Sequence, residues 1–248
     1  MPTGVFYGIT TNPLLAARAG FLYQEIDWDR MVRTAADLGA NEFHAQVCGD
    51  SEQFLKFAER LYGFGQSAGI DCVVKIPLSL DGIKMVPKIK NLGGKILLTA
   101  CYDAKQFITA AALKADYIAP YFGRMVEAGL DAMAHLKAMH RMSKNVECRT
   151  IVASLRDVQQ IVEIAKLGHD CFTISPSVAH DLFQNDLTAV AVANFEKSAL
   201  KTIDKISDGL KEDILSKYAA ATGKSLGQAE GELVSRMRKL GHLYAGEK

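Results

Sequence analysis

No stretch of the sequence approaches the roughly 18 consecutive apolar residues that a membrane-spanning helix requires. The opening MPTGVFYGITTNP has neither a charged n-region nor a long apolar h-region, so a cytoplasmic protein is expected. The five cysteines (Cys48, Cys72, Cys101, Cys148, Cys171) form an odd count without CxxC spacing, which excludes a disulfide framework and reads as reduced core thiols. An excess of either charge is also missing. With Lys+Arg 29 against Asp+Glu 28 the net charge is +1, which gives no general pull toward nucleic acid or an anionic membrane. There is no HExxH, no GxSxG and no P-loop, and no GxGxxG follows the first strand-like run. His135 and His140 are five apart and do not share a helix face, so neither a metal nor a cofactor is expected.

What is present is a regular rhythm. Hydrophobic residues make up 49% and charged residues 23%, enough for one sizeable core plus an appendage. Short apolar or β-branched runs recur at 4–12, 41–47, 72–77, 95–102, 116–121, 147–154 and 171–176. Amphipathic segments lie between them, with Asp or Ser near their starts and Gly near several ends. Such alternation implies right-handed βαβ units and a parallel sheet buried on both faces. A (β/α)8 barrel of the TIM type is preferred to a doubly wound sheet, because the Gly-rich turn of the latter is absent. Seven runs are present where a closed barrel needs eight, so one strand is missing. Residues 1–197 are expected to form the barrel and 198–248 a helical tail, either packed on the barrel's outside or serving as an oligomer contact.

Reactive groups of such a barrel gather at the C-terminal ends of its strands. The residues expected there are Thr10, Thr11 and Asn12, Gln46, Lys75, Thr99 with Tyr102 nearby, Tyr121, Arg124, Ser154, Arg156, and Ser175 with Ser177. Lys75 lies within the apolar VVKIP, where burial of its ammonium lowers the pKa and supplies free amine near neutral pH. A free amine can form a Schiff base with a carbonyl, although a lysine paired with a carboxylate or holding a phosphate fits the same pattern. Arg124 and Arg156 beyond neighbouring strand ends can bind an anion, with Ser154 adding a hydroxyl donor. Gln46, Thr99 and Tyr121 can hydrogen-bond a water or a substrate hydroxyl, or serve as satisfied core residues.

GITTNPLL, AQV, VVKIPLSLDGIKMV, LLTACYDAKQ, YIAPYFGRM and VASLRD, in this order over roughly residues 4–197, together resemble the transaldolase family, in particular its small members and the fructose-6-phosphate aldolase type. The resemblance implies a cofactor-free enzyme that cleaves a ketose phosphate and releases or transfers a dihydroxyacetone unit. By the same resemblance Lys75 matches the Schiff-base lysine, and Gln46, Thr99 and Tyr121 the residues that hold a water for proton transfer. Asn12 and Ser154 match residues that hold hydroxyls of the dihydroxyacetone unit, and Arg124 and Arg156 those that receive the phosphate of the aldose; Thr10, from its strand-end position, is expected to bind substrate beside them. Gln46 in place of Glu, Tyr121 in place of Phe and Ala119 in place of Ser point to the aldolase subtype. The family opens on a strand carrying LDT or similar, whose Asp takes part in acid–base chemistry, whereas no such Asp precedes MPTGVFYGITTN. The alternative expectation is therefore an impaired member that binds sugar phosphates or serves in assembly. Sugar phosphates, and further copies of the chain in a homo-oligomer, are the expected partners; a deoxyribose-phosphate aldolase type is disfavoured by TTNP and APYFGR.

Overall fold

In DCVVKIP the side chains of Cys72, Val74 and Ile76 face one way and those of Val73 and Lys75 the other, and all five are buried. A strand covered on both faces needs a layer of helices on one side and a filled concavity on the other. The computed structural model, which describes residues 4–204 and 208–244, has this arrangement. The chain divides into two compact units between Phe183 and Gln184.

The first unit alternates strands and helices. β1 (Gly8–Thr10) leads to α1 (Pro13–Arg18), a 3-10 turn (Tyr23–Glu25) and α2 (Trp28–Asp37). β2 (Glu42–Gln46), α3 (Ser51–Ala68), β3 (Asp71–Pro77), α4 (Leu80–Lys90), β4 (Lys95–Cys101) and α5 (Lys105–Ala112) follow. β5 (Tyr117–Pro120), α6 (Phe122–Glu127), α7 (Ala132–Ser143), β6 (Arg149–Thr150), α8 (Val158–Ala165) and α9 (Pro176–Asp181) complete it. The six strands are all parallel and lie in sequence order, with Gln46 opposite Lys75 and Lys75 opposite Leu97. The run at 171–176 reaches the sheet through one bridge, Val152 to Phe172, since Pro176 already begins the next helix. The sheet curls as a barrel does and is open among the described residues, in line with the expected barrel short of strands.

Alternation sorts the strand residues into two cores. Phe43, Ala45, Val74, Ile76, Ile96, Leu98 and Ile118 meet the helices. Val73, Leu97, Ala119, Ile151 and Ala153 form a separate cluster on the concave face. The expected helix starts are present: Asp50 and Gln53 make a reciprocal capping box on α3, while Ser79, Asp131 and Asp157 cap α4, α7 and α8. One expectation is corrected. Cys48 is exposed in the loop after β2, because the alternation that buries Cys72, Cys101 and Cys148 has ended there.

The second unit is helical: α10 (Asp186–Asp204), α11 (Asp208–Thr222) and α12 (Leu226–Tyr244). α11 and α12 pack on each other and bury Ala219 and Ala229, whereas Leu187, Val190 and Phe195 of α10 are exposed. Among the described residues no helix is long and apolar enough to cross a membrane.

A polar layer occupies the concave face at the starts of the strands. Glu42 accepts from His44 Nε2 at 2.9 Å, Lys95 Nζ at 2.6 Å and the Tyr117 hydroxyl at 2.8 Å, and Lys95 also reaches Asp71 at 2.7 Å. Burial alone would raise the Glu42 carboxyl, but these hydrogen bonds outweigh it and lower the pKa from 4.5 to about 2. The stabilisation from this carboxylate is therefore present above about pH 4.5 and lost as the pH falls toward 2, and a difference of that size is worth about 3 kcal/mol. Glu42→Gln should lower stability at pH 7 by about 2 to 3 kcal/mol, and urea titrations should show the difference from wild type shrinking below pH 4.5.

Candidate active site

The tips of the strands hold the residues expected to carry chemistry. Lys75, two residues before the C-terminal end of β3, is 6% exposed. Its Nζ donates to Thr10 Oγ1 at 2.9 Å and to the Thr11 carbonyl at 2.8 Å, both from the tip of β1. No carboxylate is among these partners. Burial lowers the pKa of this lysine from 10.5 to about 8, so a sizeable share of it is free amine slightly above neutral pH. Asn12, the next residue, caps α1, its Oδ1 accepting from Leu15 N at 2.9 Å, which leaves its amide hydrogens to donate elsewhere.

On the other side of Lys75, Thr99 Oγ1 and the Tyr121 hydroxyl lie 2.7 Å apart. Tyr102 meets the Tyr121 ring edge-on at 5.7 Å. The Arg124 guanidinium sits 5.0 Å above the same ring and donates to the Tyr102 hydroxyl at 3.4 Å. Aromatic stacking of this kind holds a guanidinium in place while leaving donors for an anion. β4 and β5 lose register between Leu98 and Cys101, with Ala100 at φ 59°, so the irregularity falls right after Thr99.

Ser154 follows the last strand pairing at φ 65°, a left-handed conformation that costs a non-glycine residue about 1 to 3 kcal/mol and is concentrated at functional sites. Its carbonyl accepts from Gly123 N at 3.0 Å. A Cβ on Gly123 would stand 2.2 Å from that carbonyl oxygen, 3.1 Å from Arg156 Nε and 3.3 Å from Ser154 Oγ. The glycine of APYFGR is thus the place where Ser154 and Arg156 converge, one residue before Arg124. Arg156 donates to Glu127 Oε1 from Nε at 3.1 Å and from Nη2 at 2.6 Å. Both side chains are about half exposed, so the pair is worth no more than about 1 kcal/mol.

Gln46 is held by a residue the sequence did not flag. The Tyr23 hydroxyl donates to the Gln46 carbonyl at 2.7 Å and accepts from Gln46 N at 2.8 Å, and burial drives its phenol well above the ordinary value. Nothing in FLYQEIDW marks Tyr23 apart from an aromatic in a connecting segment. Ser175 caps α9 and lies 2.8 Å from Ser177 Oγ, a helix-start arrangement. Among the described residues no group of three His, Cys, Asp or Glu side chains is placed to hold a metal ion.

The family model described as transaldolase/fructose-6-phosphate aldolase matches residues 1–229. A probable transaldolase of Syntrophobacter fumaroxidans is 34% identical over 199 residues, which cover 78% of this chain and 87% of the relative. Probable transaldolases of Sphingopyxis alaskensis and Methanococcus maripaludis are 30% and 31% identical, covering 81% and 77% of this chain and 90% and 86% of those relatives.

Burying a charged lysine destabilises the fold at neutral pH. Between about pH 8 and 10.5 the unfolded chain binds more protons at this position than the folded one, so the penalty of about 3 kcal/mol is complete below pH 8 and disappears above 10.5. Lys75→Met should therefore raise the melting temperature at pH 7, with the gain shrinking as the pH is taken from 8 to 10.5. Gly123→Ala should lower stability by about 1 to 3 kcal/mol by pushing α6 off the Ser154 carbonyl.

Proposed function

Since the chain belongs to the transaldolase/fructose-6-phosphate aldolase family, we propose that it is a class I enzyme in which Lys75 forms a Schiff base with a ketose phosphate. The observation that carries this reading is the environment of the Lys75 amine: buried, free of a carboxylate partner and held by two neutral oxygens from β1. Neutral acceptors orient the nitrogen without stabilising its charge as a carboxylate would.

In the proposed reaction the Lys75 amine adds to the ketose carbonyl and water leaves, giving a protonated imine. That imine accepts the electron pair of the breaking carbon–carbon bond, an aldose phosphate departs, and the dihydroxyacetone unit remains on Lys75 as an enamine. Hydrolysis then releases it, or an acceptor aldose phosphate takes it away. Asn12, Thr10 and Ser154 are suited to the hydroxyls of that unit. Arg124 and Arg156 suit the phosphate, with Glu127 handing over Arg156 when the anion arrives. A water bound by Gln46, Thr99 and Tyr121 would move protons at the reacting carbons.

Fructose 6-phosphate with borohydride should add one stable mass to Lys75, found by peptide mass spectrometry, and an unmodified lysine under these conditions would sink the proposal. The rate of adduct formation should rise with pH to a plateau just above 8, since the amine form attacks. Lys75→Met should lose both trapping and turnover. Given trapping, transfer to erythrose 4-phosphate separates a transaldolase from an aldolase, whereas adduct without turnover would point to a sugar-phosphate-binding role.

A further inference from the structure

Below Lys75 on the same concave face is a pair of side chains that the proposed reaction leaves unused. Glu42 and His44 are two residues apart on β2 and so project to one face, where His44 Nε2 lies 2.9 Å from Glu42 Oε2. The Glu42 carboxyl, held at about 2 by its hydrogen bonds, is ionised and can only accept. The hydrogen between the two atoms therefore belongs to His44 Nε2. Burial keeps the imidazole neutral, and a neutral imidazole protonated at Nε2 has a bare lone pair at Nδ1. That nitrogen is one of two buried side-chain polar atoms without a partner among the described residues, the other being Thr150 Oγ1. Of the two, only the imidazole nitrogen is a base.

Such an acceptor suits the Lys75 ammonium. Its ammonium form has three N–H groups, of which two go to Thr10 Oγ1 and the Thr11 carbonyl, neither of them a base. Thr10 is the register partner of His44 across β1 and β2, so the nitrogen that reaches Thr10 is brought over the strand carrying His44. The two groups sense each other electrostatically, the Lys75 charge opposing a charge on His44. Other groups facing His44 are Lys95 of β4 and Tyr117 of β5, the latter stacked on its ring at 5.8 Å, with Asp71 of β3 bound to Lys95.

We propose that His44, its ring fixed by the Glu42 carboxylate, is the base that takes the third proton of the Lys75 ammonium, directly or through one water. The proposal rests on the Schiff-base reading above. In the step, one N–H bond of Lys75 breaks and its electron pair stays on Nζ, the proton goes to His44 Nδ1, and the imidazolium is balanced by Glu42. Nζ adds to the carbonyl to give a carbinolamine, and the proton returns from His44 to its hydroxyl, which leaves as water with the protonated imine behind. Glu42 holds the His44 imidazole in one tautomer, as the third group does in a nucleophile–base–orienter arrangement.

Two variants test this. His44→Phe keeps a ring against Tyr117 and leaves Glu42 the bonds from Lys95 and Tyr117; His44→Gln keeps an amide donor for Glu42 without a basic nitrogen. The rate of borohydride-trapped adduct at Lys75 with fructose 6-phosphate should be about 100-fold below wild type at pH 7 in both. The gap should close above about pH 8, where most of Lys75 is already free amine. Nitrogen-15 NMR of the imidazole in the wild-type protein should show hydrogen on Nε2 and none on Nδ1 at neutral pH. Unchanged rates, a loss equal at every pH, or hydrogen on Nδ1 each overturn the role of His44. A wild-type protein that traps nothing at any pH overturns the Schiff-base reading and this proposal with it, whereas normal trapping in wild type and variants alike overturns this proposal alone.

Discussion

The interaction on which the site depends is the reach of Lys75 from β3 to the tip of β1. Two strand spacings separate those strands, roughly 10 Å if the sheet were flat, which is beyond the length of a lysine side chain. The curl of the sheet shortens that reach, and Thr10 Oγ1 and the Thr11 carbonyl lie 2.9 Å and 2.8 Å from Nζ. Curvature and the position of the buried amine are thus aspects of one arrangement. Every parallel pairing from β1 to β3 must be in register for the amine to be held, and the closely set Gly8, whose added Cβ would stand 2.5 Å from the Glu42 carbonyl oxygen, belongs to the same requirement.

The concave face separates charge by depth. At the strand starts Glu42, Lys95, Asp71 and Tyr117 satisfy one another, and above them Val73, Leu97, Ala119 and Ile151 form an apolar band. Lys75, Thr99 and Tyr121 follow toward the strand ends. An ion pair to Lys75 would raise its pKa and hold it charged; the apolar band on this face packs where such a carboxylate would otherwise sit. His44 interrupts the band on the β2 side.

Much of this was legible in the sequence because it follows from period and position. The nearly continuous apolar runs in DCVVKIP and KILLTAC dictate strands buried on both faces, and the helix-start residues Asp50, Ser79 and Asp157 mark where strands hand over to helices. The same rule places Lys75, Thr99 and Tyr121 at strand ends. It could not supply the interactions made by residues far apart along the chain. Tyr23 meets Gln46 across 23 positions, and Tyr117 meets Glu42 across 75, with no local pattern to announce either. His44 was concealed for another reason: a histidine within an apolar strand looks like an ordinary core residue until its partner two positions away is seen on the same face.

The Tyr23 hydroxyl gives the rim of the site a particular mechanical character. Odd residues at the tip of β2 pair with β3, as Val47 N does with the Lys75 carbonyl, while even ones face β1, where Thr11 N meets the His44 carbonyl. Past Thr11 the chain turns into α1, and Gln46 would be left with a donor and an acceptor directed at nothing. One phenol satisfies both, so a side chain substitutes for the next residue of a strand. The rim of the sheet beside the lysine is therefore fastened by a single hinge-like oxygen and can be reshaped by altering the segment that carries Tyr23, with the ladder beneath it left zipped.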